Sequence, residues 1–114
     1  RSSVRVAASV RPICSGTSDD PHPSDAPPGT VAAKGHTTCP DSRIYVTAHA
    51  KLYKEFAWLW WTKIAEDYKS GFGQVTARAA TNCQGNLMYR LVTTHTITAA
   101  TTDTKTSGKD ARAC

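Results

Sequence analysis

Several features that usually announce a function are missing from this chain of 114 residues. No apolar stretch approaches the ~20 residues a membrane-crossing helix needs, so no such span is expected. No two cysteines stand as C-x-x-C, and zinc-ribbon and thioredoxin-like readings lose their main support. His36 and Cys39 form an H-x-x-C, but the second ligand pair of a zinc site is absent, so neither metal nor cofactor is expected. There is no G-x-S-x-G, no glycine-rich phosphate loop and no paired-carboxylate spacing. The two asparagines, Asn82 and Asn86, open no glycosylation sequon. Basic residues exceed acidic ones by 14 − 9 = 5, yet they stand singly from Arg1 to Arg112. Nucleic acid is recognised by a clustered basic patch, and none is visible. Residues Arg1 to Arg11 contain arginines but no apolar core of a signal peptide, so a secreted form would be a mature chain with its leader removed.

What the chain does have is four widely spaced cysteines, Cys14, Cys39, Cys83 and Cys114. Four cysteines admit three pairings. The sequential one, Cys14 with Cys39 and Cys83 with Cys114, is preferred because each bridge pins an otherwise loose end. Each would stabilise by ~3 kcal/mol through the unfolded chain. Disulfides place the chain in an oxidising setting, and a secreted location is expected.

Composition divides the single domain into three zones. Residues 1–13 contain "SVRVAASV", in which Val4 and Val6 alternate with Arg5 and Ala7 as in an edge strand or extended arm. Residues 14–40 are rich in Pro, Ser, Asp and Gly and read as a long disulfide-bounded loop. Residues 41–114 read as a β core. "RIYVTAHAKLY" sets Ile44, Val46, Ala48, Ala50 and Leu52 on one side and Tyr45, Thr47, His49, Lys51 and Tyr53 on the other. "GQVTARAATNC" repeats this with Val75, Ala77 and Ala79. "NCQGN" supplies a turn, and "LMYRLVTTHTITAATT" is a long threonine-rich strand.

The segment from Leu52 to Lys69 is ambiguous. As a helix it aligns Leu52, Phe56, Leu59, Trp60 and Ile64, with Lys51–Glu55 and Lys63–Asp67 at i, i+4. As a strand it sets Phe56, Trp58 and Trp60 against Leu59 and Trp61. No good N-cap stands near Ala50, and strands flank the segment on both sides. The expected fold is therefore mostly β, a small antiparallel sandwich held by two disulfides. The alternative is an α+β arrangement with a helix at about 52–69.

In either case some aromatic surface faces outward, because a strand cannot bury Trp60 and Trp61 on the same side. The proline-rich loop covers it, or it is a binding patch. The candidate binding residues are Trp58, Trp60, Trp61, Tyr45 and Tyr53, with Val4 and Val6 on the N-terminal arm. No catalytic residues are assigned. The expected function is a secreted, non-enzymatic adaptor that binds another protein, such as a subunit of an extracellular antagonistic or toxin-type complex. Carbohydrate is a second partner class, through stacking of sugar rings on Trp and Tyr. Two other functions compete with this reading: a protease inhibitor presenting the 14–40 loop, and a small hydrolase such as a ribonuclease using His49 and His95.

Overall fold

Side chains that alternate with period two have one partner-seeking face each, and here those faces close onto each other as two antiparallel sheets. A computed structural model describes residues 2–7, 13–25, 28–56, 60–98 and 102–114, with 2–7 and 13 described as backbone. Among the described residues nine strands follow in order: β1 Ser2–Ala7, β2 Ile13–Ser18, β3 His22–Ser24, β4 Thr30–Thr38, β5 Tyr45–Phe56, β6 Trp60–Phe72, β7 Gln74–Asn82, β8 Leu87–Thr98 and β9 Thr102–Ala113. The described residues contain no helix, and the ambiguous segment is the β5–β6 hairpin. A few i, i+4 ion pairs add only about 0.2–0.5 kcal/mol each to a helix. Pairing β5 between β6 and β8 buries Val46, Ala48, Ala50 and Leu52 completely, which outweighs them.

In the first sheet β7 runs along one edge of β4, while β2 and β3 share the other and β1 lies outside β2. The second sheet is ordered β6-β5-β8-β9. Its inner face covers the first sheet, so that β6 lies over β7, and β9 over β2 and β1.

The 14–40 segment departs from the expected loop: it contains β2, β3 and β4, and Val31 and Ala33 lie at the centre of the core. Its glycines were the misleading signal. A Cβ on Gly16 would overlap the His95 ring, and one on Gly35 would overlap the Thr93 side chain. Both glycines are sites of close packing between sheets rather than turns. The segment consequently lies within the first sheet and leaves Trp60 exposed.

Two apolar clusters make up the core. The larger joins Val31, Leu52, Tyr89 and Leu91 with alanines from β4, β5 and β7, and the smaller joins Ile44, Val46 and Ile97 with the Cys14–Cys39 bridge. Both disulfides follow the sequential pairing. Cys14–Cys39 joins neighbouring strands of the first sheet, and Cys83–Cys114 ties the end of β9 to the segment after β7, linking the two sheets.

Candidate functional site

The outer face of the β6-β5-β8-β9 sheet collects most of the aromatic residues, and a bulge on β6 makes this so. Leu52 pairs with Ala65 and Tyr53 with Lys63, leaving Ile64 as the extra residue. One extra residue changes the parity of everything beyond it. Trp61 and Lys63 on one side of the bulge therefore share a face with Glu66, Tyr68, Ser70 and Phe72 on the other. Both Ile64 and Ala65 pack against the core.

Across this face the register builds rows of four. The row Phe72–Tyr45–Thr98–Thr102 is followed by Ser70–Thr47–Thr96–Thr104 and Tyr68–His49–Thr94–Thr106. These three rows contain no Asp, Glu, Lys or Arg. The next rows, Glu66–Lys51–Val92–Gly108 and Lys63–Tyr53–Arg90–Asp110, and beyond them the pairs Trp61–Glu55 and Met88–Arg112, carry the charge. One half of the face is thus aromatic and hydroxylated, and the other is ionic.

Most of the ionic half is paired within itself. Arg90 forms a bidentate pair with Asp110 at 2.7 and 2.8 Å, and its guanidinium sits 4.0 Å from the centre of the Trp61 ring. Glu55 accepts the Met88 amide at 2.8 Å and lies 3.9 Å from Arg112. Glu66 accepts Lys63 Nζ at 2.7 Å and is 2.6 Å from His49 Nε2. The Lys63 ammonium, and after it His49, hold the Glu66 carboxyl at about 2, well below the usual carboxylate range.

In the neutral half the rings are open. Phe72 is 67% and Tyr68 56% exposed, against 38% for Tyr45. Tyr45 and Phe72 meet edge to face with centres 5.3 Å apart, and His49 and Tyr68 do so at 5.6 Å. A second aromatic surface lies at the far end of the hairpin. Phe56 and Trp60 are cross-strand partners on the side of the sheet opposite Trp61, and they are 61% and 65% exposed.

No family model, no curated protein and no solved structure matches this chain.

Of the residues singled out in the sequence, Trp60 is exposed and Trp61 is half-buried under Arg90. Tyr45 belongs to the neutral half and the half-buried Tyr53 to the ionic half. Trp58 lies outside the described residues. Val4 and Val6 lie in β1, at the end of the sheet order, opposite Gly16 and Cys14 of β2. The sequence reading did not single out Phe72, Tyr68 or the threonine rows. Their visible signal was the i, i+2 repetition in "TTHTIT" and "TTDTKT" and the i, i+4 pair Tyr68 and Phe72.

The histidines do not converge. His49 faces outward and His95 inward, since His49 is level with Thr94 and its neighbour Ala48 with His95. His95 is completely buried. Its Nδ1 lies 2.7 Å from Thr37 Oγ1, whose own proton goes to the Thr47 carbonyl at 2.8 Å. The Nδ1–H therefore donates to Thr37, and Nε2 accepts from the Ser107 hydroxyl at 2.7 Å. Ser18 continues the chain to Ser107 at 2.7 Å and to Thr93 at 2.9 Å, with a single proton for both oxygens. An imidazolium would complete that last link, a gain of about 1 kcal/mol, but burying its charge costs several. The neutral form wins, and burial, with His36 nearby, pushes the His95 pKa down to about 4. A residue so enclosed holds strands together and reaches no substrate.

His36 is also held in place, with Nε2 2.8 Å from Asp19 and Nδ1 2.9 Å from Thr76. Its H-x-x-C partner Cys39 is oxidised with Cys14 and offers no thiolate to a metal.

Proposed function

We propose that this chain is a secreted, non-enzymatic binding module that engages another protein. The observation that carries the reading is the Phe56–Trp60 pair, two large apolar side chains 61% and 65% exposed at paired positions. Clustered exposed aromatics mark interaction surfaces, and Trp is a preferred interface anchor. The N-terminal strand adds a second point of attachment. Among the described residues β1 pairs on one edge only, so a partner strand could extend the sheet there through backbone hydrogen bonds. Two disulfides suit an extracellular setting, where an adaptor of a toxin-type complex would work.

The test is capture from native culture fluid on the immobilised chain, with mass spectrometry of what is retained. A partner held by the unaltered chain and lost with the Phe56→Ala/Trp60→Ala double variant supports the reading. Equal retention by the variant, with its near-ultraviolet circular dichroism unchanged, overturns it.

A further inference from the structure

We propose that the neutral half of the β6-β5-β8-β9 face is a separate binding site for an uncharged polysaccharide. The site comprises Phe72, Tyr68 and Tyr45 with the threonine rows of β8 and β9.

The first argument is electrostatic. The chain carries 14 basic and 9 acidic residues, yet the twelve positions of these three rows hold none of them, while the adjoining rows and pairs hold seven. Within the twelve are seven threonines, Ser70, three aromatic rings and His49. Such a surface has no ion to complement a charged ligand. It does offer short hydroxyls, which both donate and accept, beside apolar rings. A neutral sugar presents the same pair of features: hydroxyls around its rim and C–H groups across its faces. Of the cations on the neighbouring rows, Lys63, Arg90 and Arg112 already have carboxylate partners, which leaves an anionic glycan Lys51 at the border of the neutral half and no cation within it.

The second argument is geometric. In each edge-to-face pair only one ring can lie flat against a ligand, and the more exposed members are Phe72 and Tyr68, both on β6. Four residues of strand separate them by roughly 13 Å. That span fits an oligosaccharide chain rather than one sugar. Beyond these rings the threonine hydroxyls open to a ligand are those of β8 and β9, strands spaced about 4.8 Å apart, since Thr47 on β5 is buried. Thr96 and Thr104 approach within 3.4 Å of each other, a weak contact that leaves both hydroxyls available to a ligand. Because the rows sit on paired strands, the ligand meets groups already in position, and little ordering entropy is lost. A solvated threonine-rich face would arise from β propensity alone, but that propensity does not explain two rings more than half exposed among the hydroxyls.

Phe56 ends β5 and Trp60 begins β6, about 23 Å along the strands from the Tyr68–His49 row, the nearest of the neutral half. The two sites can therefore be tested independently. The full chain would be assayed for retention on cellulose, chitin, α-mannan and β-1,3-glucan, with polygalacturonate as the anionic control, at low and high salt. Retention on at least one neutral polysaccharide, insensitive to salt, is expected. It should weaken by about tenfold in Phe72→Ala/Tyr68→Ala, the loss of two stacking rings, and stay unchanged in Phe56→Ala/Trp60→Ala. The proposal is overturned by retention on none of the four, by preference for polygalacturonate, or by equal weakening in both variants. Loss of captured protein in Phe72→Ala/Tyr68→Ala, without polysaccharide binding, would assign the face to a protein partner and overturn it as well. Near-ultraviolet circular dichroism confirms that each variant is folded.

Discussion

His95 sits between the sheets, where Thr37 and Ser107 hold its neutral imidazole from both sides. Its folded pKa of about 4 lies below the ordinary 6.5. On acidification the unfolded chain binds the proton first, so stability is complete above pH 6.5 and falls as the pH drops toward 4. The loss at the acid end is about 3 kcal/mol. Urea unfolding between pH 7 and 4 should show this slope, and His95→Gln should flatten it; a slope unchanged in the variant would mean that other groups govern it. The glycines facing this network are equally exacting. Gly35→Ala is expected to destabilise by about 1–3 kcal/mol because Thr93 occupies the space its methyl needs. Chemical denaturation measures this directly. At the surface, Glu66 keeps its charge until about pH 2, so its pairing with Lys63 and His49 persists through mild acid.

Among the elements, β6 decides which aromatics share a face. Period-two reading identified the strands β5 and β7 from their alternating residues, and the apolar sides expected to face inward do so; β8 was legible only from its threonine and β-branched content. Such a reading could not find the bulge at Ile64, which has no marker residue such as glycine. Without the bulge, Tyr68 and Phe72 would lie opposite Trp61. Deleting Ile64 is therefore expected to destabilise more than Ile64→Val, whose cost should be about 1 kcal/mol. It should also alter the near-ultraviolet signal of the tryptophans. Equal stability of deletion and substitution would show that the bulge has no part in arranging the face. The same limit applies to β4: "TVAAKGHTT" is short of large apolar residues and becomes central only because β7 flanks it and Thr93 needs its glycine.

For the whole molecule, the two bridges differ in access. Cys14 and Cys39 are 1% and 5% exposed, whereas Cys83 is half-buried and Cys114 exposed. Mild reduction under native conditions should open Cys83–Cys114 first. Alkylation and peptide mapping would find label on those two cysteines alone, and label on Cys14 at the same reductant concentration would contradict it. Opening that bridge frees β9 at its end and should lower stability by about 3–4 kcal/mol, the value for closing a loop of 31 residues. The bridge's position between the sheets makes thermal unfolding under mild reductant a direct measure of its contribution.

Alternation along each strand and β-branched content are local quantities, and by themselves they determined the β class and the outward or inward sense of β5 and β7, while cysteine order favoured one of three disulfide pairings without deciding it. Which strands lie side by side is a matter of long-range pairing. Only the tertiary structure therefore turned a proline-rich segment into the middle of a sheet, enclosed His95 and aligned residues from β5, β6, β8 and β9 into a charge-free half-face. Burial and cross-strand contact depend on partners tens of residues away, and no window of sequence contains them.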